Sequence, residues 1–407
     1  MIDFSASRND FPGLSRIGAN GLPLAYLDGP GGTQVPRSVI DAVSKVYETS
    51  NANTHGAFVT SIETDEVIFD ARAAAADFLG AAGPETISFG QNMTTLNFAL
   101  ARAIGRTIAP GDEIVLTELD HEANRGPWKM LEERGAVIRE IPLRHDGTLD
   151  TSPIESIIGR KTRLVAMGWA SNALGTVNDL TTARTLSRDA GAWLLVDAVH
   201  YAPHFPIDVQ TLDPDFLLCS AYKFYGPHVG ILYSRPGLLE KIPTDRLITQ
   251  ESRAPERIET GTLNHAALAG VRAAIDYLAS WGGTGNRRER IVASMTALRE
   301  HEGSLARKYV DSLSDLPRVT LHGPPFAAER RAPTISITID GVAAGEVTRA
   351  LAGKGIAAWD GDFYARRAVE VLGLASQGGL VRCGMAMYTS ESDVERLSHA
   401  IREIAGS

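Results

Sequence analysis

DFLLCSAYKFYGPHVGILY, residues 215–233, reads as two apolar strands separated by a short polar gap that carries one lysine, Lys223. Outward from it, apolar runs of strand length alternate with segments of helical period. The expected strands are Glu85–Phe89, Glu113–Thr117, Ala136–Ile141, Arg163–Met167, Trp193–Asp197, Asp215–Cys219 and Val229–Tyr233. The clearest helix is Glu63–Leu79. Its Val67, Ile68, Ala71, Ala74, Ala75, Phe78 and Leu79 fall on one broad face, and Gly80 stands where a left-handed cap would stop it. Strands joined by crossover helices build an α/β fold around a mainly parallel sheet, here of seven strands.

After Thr262 a long helical stretch runs towards Trp281, and the character then changes. Basic helices follow, then an alternating strand Pro333–Ile339, a strand-like run Leu380–Tyr388, and a last helix opened by Ser390-Glu391-Ser392-Asp393 as a capping box. Single hydrophobic cores stop growing near about 250–300 residues. The 407 residues are therefore expected to form a large domain over 21–280 and a smaller α+β domain over 281–407, with 1–20 an arm packed on the smaller one.

Forty Lys and Arg against 49 Asp and Glu leave a net charge of −9, which argues against non-specific binding to nucleic acid or an anionic membrane surface. The opening MIDFSASRNDFPGL has no basic segment followed by an apolar stretch, and the longest apolar runs are too short to cross a bilayer. The two cysteines, Cys219 and Cys383, make neither a disulfide framework nor a cysteine-rich zinc site, so no metal is expected and a cytoplasmic location is.

In open parallel sheets, ligands bind beyond the carboxyl ends of the strands. Four polar residues follow expected strands in this way: His121, Asn172, Asp197 and Lys223. Asp197 closes the apolar run from Trp193, where a carboxylate is costly to bury without a cation; a protonated pyridine nitrogen would serve, although a loop or helix cap is an equal alternative. Lys223, if desolvated, could attack an aldehyde; an exposed turn lysine is the alternative. The segment Gly90-Gln91-Asn92-Met93-Thr94-Thr95 precedes a helix and could hold a phosphate on its free amides, with hydroxyls added by Ser220 and Tyr222, or could be an ordinary capped turn. Asp28-Gly29-Pro30-Gly31-Gly32-Thr33 lacks the lysine of a P-loop and reads as a tight turn near the site. Arg382, in the smaller domain, is either a clamp for a substrate carboxylate or a surface ion pair.

These residues, with Leu27-Asp28, Ser50-Asn51-Ala52-Asn53, Glu118 to Asn124, Ser171 to Gly175, Val196-Asp197-Ala198, Ser220 to Pro227, Gly261-Thr262-Leu263-Asn264 and Arg382 to Tyr388, resemble the class V aminotransferases, in particular their cysteine desulfurase and selenocysteine lyase branch. The resemblance implies the pyridoxal phosphate transferase fold of type I. It implies that Lys223 carries that cofactor as a Schiff base, that Asp197 holds its pyridine nitrogen, that His121 stacks on its ring and that Asn172 faces its 3-hydroxyl. His200, Asn92, Met93, Ser220 and Tyr222 complete the expected cofactor contacts. Arg382, with Gly31, Asn53 and His55, would meet a small amino-acid substrate. Gly261 and Thr262 would reach the phosphate of a neighbouring subunit, making the active site a property of a homodimer.

Four places depart from the desulfurase pattern. Tyr222 replaces the usual histidine before the lysine, His200 the usual glutamine, and Asn92 and Met93 the threonines of the phosphate loop. The fourth is Tyr364, which aligns with the cysteine that takes up sulfur as a persulfide; a phenol cannot replace a thiolate in that attack. The expectation is therefore carbon–sulfur lyase or β-elimination chemistry with Tyr364 in the catalytic loop, ahead of transamination or epimerisation by the same residues. A cofactor-binding accessory protein without catalysis is the alternative of another class.

Overall fold

The computed structural model describes residues 2–18, 20–326 and 331–406. Met1 and Ala19, within the expected arm, and residues 327–330 and Ser407, within the expected smaller domain, lie outside the described residues.

Seven strands form the principal sheet, in the order Ile87–Gly90, Gly230–Ser234, Phe216–Ser220, Trp193–Asp197, Thr162–Gly168, Glu113–Thr117, Val137–Ile141. Gly230–Ser234 runs antiparallel to both of its neighbours, and the other pairings are parallel. The strands read as continuous apolar runs because helices cover both faces. Ile114, Leu116, Leu164, Ala166, Leu195, Phe216 and Leu218 pack to one side with Leu100 and Trp128. Val115, Val165, Met167, Val196, Leu217 and Cys219 pack to the other with Phe78, Val271 and Leu278.

The helices follow from local chemistry. Val59–Leu79 ends at Gly80, whose φ of 67° is the left-handed cap expected of a glycine. Asn264 accepts the Ala267 N–H at 3.0 Å and starts His265–Ser280, which packs between Arg37–Thr49 and Val59–Leu79. Ser390 and Asp393 make the reciprocal box at the head of Glu391–Gly406: the Asp393 N–H donates to the Ser390 hydroxyl, and the Ser390 N–H to the Asp393 carboxylate, each at 3.1 Å.

A second, antiparallel sheet has the order Trp359–Gly361, Leu380–Gly384, Thr334–Ile339, Val319–His322. Its core joins Ile335, Ile337, Val381 and Cys383 to Val394, Leu397 and Ile401 of the last helix. Ala25 and Leu27, expected in the large domain, pack in this second core instead, because Ala25–Tyr26 pairs in parallel with Ile356–Ala357. The helix Arg287–Ser312 buries Ile291, Met295 and Leu298 in the first core and Leu305, Ala306 and Tyr309 in the second. We propose that residue 281 marks the approach to this shared helix, with the smaller unit fully separate only after it. In the arm, Phe4, Phe11 and Leu14 enter the first core, while Arg8 pairs with Asp393 at 2.7 Å. No helix of the described residues is long and apolar enough to cross a membrane.

Candidate active site

The carboxyl ends of the central strands open onto a cavity of about 540 Å³. Lys223, Asp197, His121, Asn172, His200, Asn92, Met93, Ser220 and Tyr222 all line it.

Lys223 closes the single turn Ala221–Lys223 that follows the strand Phe216–Ser220. Its Nζ donates to the carbonyl oxygens of Pro30 at 2.5 Å and Gly31 at 2.9 Å, so the glycine-rich turn lies against the lysine. A side chain at Gly31 would run into the Asp28 carboxylate. Burial, and after it the Arg382 guanidinium, pushes the Lys223 ammonium down to about 7, against the pull of Asp28 and Asp197. The amine is thus partly neutral, and nucleophilic, near neutral pH.

Asp197 ends its strand at the floor of the cavity, and the Val199 N–H at 2.9 Å is its hydrogen-bond partner among the described residues. Burial pushes its carboxyl up to about 7; the adjacent Asp120 adds to this and Lys223 opposes it. Asp120, itself raised to about 6 by burial, accepts the Gly168 N–H at 2.8 Å and the Asn124 amide at 3.2 Å. The floor therefore presents a buried carboxyl that keeps its proton up to about neutral pH and that a cation beside it would ionise.

His121 caps the helix Glu122–Lys129, its Nδ1 accepting the Ala123 N–H at 2.9 Å. Burial, then Lys223 and Arg382, push the imidazole down to about 4, so the ring is neutral with its proton on Nε2. At the other end of the cavity Asn92 caps Met93–Gly105: its Oδ1 accepts the Thr95 N–H at 2.9 Å, and the Met93 N–H donates to the Ser220 hydroxyl at 3.0 Å. Thr94 and Thr95 line the cavity at this helix N-terminus, an anion-favouring place. Any side chain on Gly230 would strike the Asn92 backbone, which is how the strand comes so close to the loop. The Tyr222 ring stacks on His228, centroids 4.7 Å apart.

A mouth of about 670 Å³ shares His121, Asn172, Tyr222 and Lys223 with the cavity and adds Gly31, Tyr364 and Arg382. Arg382, 3% exposed, donates from Nη2 to Asp28 at 2.9 Å and from Nη1 to the Asn172 carbonyl at 3.2 Å, and lies 4.3 Å from the Phe363 ring centroid. Its Nε is buried without a partner among the described residues. Phe363 and Tyr364 are both left-handed, with φ of 53° and 61°, a conformation costing about 1–3 kcal/mol for such residues and held here by surrounding bonds. Asn172 Nδ2 donates to the Phe363 carbonyl at 2.8 Å, and the Glu122 N–H to that of Tyr364 at 2.7 Å. Tyr364 is 72% exposed, its ring 5.5 Å from that of His121.

Asn53, His55, Gly261 and Thr262 are not brought to Lys223. They line a separate cleft of about 780 Å³, together with Arg72 and Glu259. Sequence reasoning gave no role to Asp120, His228 or Phe363, and placed Asp28 only in a turn near the site; Asp120, in the loop after the strand Glu113–Thr117 and beside His121, carried a signal that could have marked it.

The family profile described as aminotransferase class-V matches residues 25–397. The chain belongs to the class V aminotransferase family. It is 34% identical to the cysteine desulfurase of Pectobacterium atrosepticum, over 98% of this chain and 97% of that protein. It is 35% identical to that of Salmonella agona over the same shares. Its fold matches the Escherichia coli cysteine desulfurase CsdA with a TM-score of 0.85 and 28% identity, covering 100% of this chain and 98% of the other. The cysteine desulfurase of Thermococcus onnurineus matches equally well, with a TM-score of 0.85, 26% identity and coverage of 97% and 98%. Class V aminotransferases depend on pyridoxal phosphate, and this chain is a pyridoxal-phosphate-dependent enzyme of cysteine desulfurase-like type. The cavity suits that cofactor. A buried carboxyl that a cation would ionise, a partly neutral lysine, a neutral imidazole and a helix N-terminus surround one space.

Proposed function

We propose that this class V enzyme cleaves a carbon–sulfur or similar β-bond of a small α-amino acid and releases the leaving group without passing it to a cysteine of its own. The placement of the thiols carries this reading. Cys219 and Cys383 are both buried, in the first and second cores, with thiols pushed up by burial, Cys383 to about 12. Cys383 neighbours Arg382 on a strand, so the two side chains leave opposite faces. At the mouth stands Tyr364.

Bound pyridoxal phosphate supplies an electron sink for the pair released at the substrate's α-carbon. Lys223 would hold it covalently, Asp197 at its pyridine nitrogen, His121 at its ring face, Asn172 and His200 at its 3-hydroxyl, and Asn92, Met93, Ser220 and Tyr222 at its phosphate. The Arg382 guanidinium binds the substrate carboxylate, with Asp28 and the Asn172 carbonyl fixing its plane. Lys223 Nζ, freed when the substrate's amine takes its place, would take the α-proton. Tyr364 touches the β-substituent from the loop.

A homodimer completes the site. The cleft of Asn53, His55, Gly261 and Thr262 is remote from Lys223 in one chain, and exposed Tyr47, Phe58, Val59, Ile62 and Phe69 offer an apolar face for a second copy. Two buried free cysteines accord with a cytoplasmic enzyme.

Product analysis with a panel of small amino acids, with and without a keto acid, tests the reading. From cysteine it predicts pyruvate, ammonia and free sulfide. Alanine with protein-bound sulfur, or an amine transfer that depends on keto acid, would contradict it.

A further inference from the structure

His200 stands at the edge of the cofactor cavity with one ring nitrogen already engaged: Nε2 lies 2.8 Å from the Thr334 hydroxyl, and both residues are buried. His200 follows the central strand Trp193–Asp197, whereas Thr334 opens the strand Thr334–Ile339 of the second sheet. One hydrogen bond thus joins the two sheets beside the cavity. The groups facing His200 are His204, Lys223, Arg382 and His121. The His204 ring meets it edge-on at 5.3 Å and is hydrogen-bonded through Nδ1 to the buried Glu302 at 2.7 Å. Burial and all four neighbours disfavour a proton on His200, so its imidazole is neutral, with one nitrogen a donor and the other an acceptor. No hydrogen-bond partner of Nδ1 is found among the described residues, which leaves that nitrogen for a ligand.

We propose that the Thr334 hydroxyl donates to His200 Nε2 and so fixes the tautomer that offers Nδ1–H to the 3-oxygen of the cofactor, which makes Thr334 a positioning residue. The proposal rests on the cofactor placement given above. An amide side chain at position 200 would bring its own donor, but a neutral imidazole needs a partner to decide which nitrogen holds the proton. The Thr334 hydroxyl can donate or accept, and by donating to Nε2 it leaves the ring proton on Nδ1; its strand also pairs Ser336 directly with Arg382. The strand behind the substrate-binding arginine thus also sets the donor at the cofactor.

The test is the pH dependence of the visible absorbance of the holoenzyme in the wild type, Thr334→Val, Thr334→Ser, His200→Gln and the Thr334→Val/His200→Gln double variant. A donor at the 3-oxygen stabilises its ionised form, so losing the donor moves the midpoint up by roughly 0.5–1 pH unit for a hydrogen bond of ordinary strength. Thr334→Val is expected to show that shift, Thr334→Ser to behave as wild type, and Thr334→Val to be silent in the His200→Gln background. An unshifted Thr334→Val midpoint, or an equal shift in both backgrounds, overturns the proposal. Nitrogen-15 spectra of the His200 ring read the tautomer in the unmodified protein: a proton on Nδ1 supports the proposal and one on Nε2 overturns it. A wild-type protein with no visible band would overturn the cofactor placement itself, an outcome distinct from every tautomer result.

Discussion

The depressed Lys223 ammonium makes a quantitative prediction about how the cofactor-free protein takes up pyridoxal phosphate. The neutral amine is the form that attacks the aldehyde, so attachment speeds up as pH rises until the amine is fully deprotonated. With the ammonium at about 7, roughly a quarter of the chains carry a neutral amine at pH 6.5 and nearly all do at pH 8.5. The attachment rate should then rise about fourfold across that interval and level off. An ordinary lysine, near about 10.4, would give about a hundredfold rise over the same interval with no plateau. Starting at pH 6.5 also keeps the cofactor phosphate mostly dianionic. Stopped-flow recording of the visible band after mixing measures the rate. Arg382→Gln removes the second cause of the shift and leaves Asp28 unbalanced, so its midpoint should move above that of the wild type. A steep, unsaturated rise to pH 9 in the wild type would refute the reasoning.

Asp197 offers a stability test of opposite sign in the two ligand states. Its folded-state carboxyl, raised from 3.8 to about 7, keeps a proton that the unfolded chain loses, so this group's contribution is full below pH 3.8 and is lost as pH rises to 7. Asp197→Asn should therefore stabilise the cofactor-free protein at pH 8 by up to about 4 kcal/mol, and far less at pH 4, while weakening cofactor binding; equal melting temperatures of the two apo-proteins at both pH values would contradict it. Arg382→Gln is expected to lower kcat/KM for amino acids by roughly 10–100-fold, from about 1.5–3 kcal/mol of charge-assisted hydrogen bonding, and mostly through KM if the arginine acts in binding. Tyr364→Gly removes a left-handed side chain and should raise the thermal midpoint, through about 1 kcal/mol, while impairing turnover; an unchanged midpoint would mean that the loop holds no strain. Alkylation of the native enzyme should leave turnover unaffected, because both thiols are buried and protonated; loss of activity matching modification of Cys219 or Cys383 would argue against the proposed chemistry.

The sheet was legible because each strand is an apolar run bounded by turns, and Trp193–Asp197 and Glu113–Thr117 have the limits expected from the sequence. Elsewhere the ends moved by a residue or two for reasons that lie in the partner chain segment. Asp215, expected to open a strand, stands outside it and accepts the Leu194 N–H at 2.8 Å while holding Arg235. Leu380–Tyr388 is strand only to Gly384, where the N–H donates to the Leu27 carbonyl and the chain turns to bury Met387 and Tyr388 against the arm. Exposed Phe58, Val59 and Ile62 hid the first turn of Val59–Leu79, since apolar residues facing outward break the amphipathic pattern. In the site, residues at strand ends could be read from position alone. Contacts made between remote segments could not: nothing in the neighbourhood of Thr334 announces His200, 134 residues away.

The central claim, cleavage without a persulfide on the enzyme, is tested most directly by mass spectrometry of the intact and digested holoenzyme during turnover of cysteine, with sulfide and three-carbon products measured in the same sample. The account predicts free sulfide and pyruvate in equal amounts, with Cys219 and Cys383 unmodified throughout. Alanine as the product, with an added sulfur on either cysteine, would contradict it.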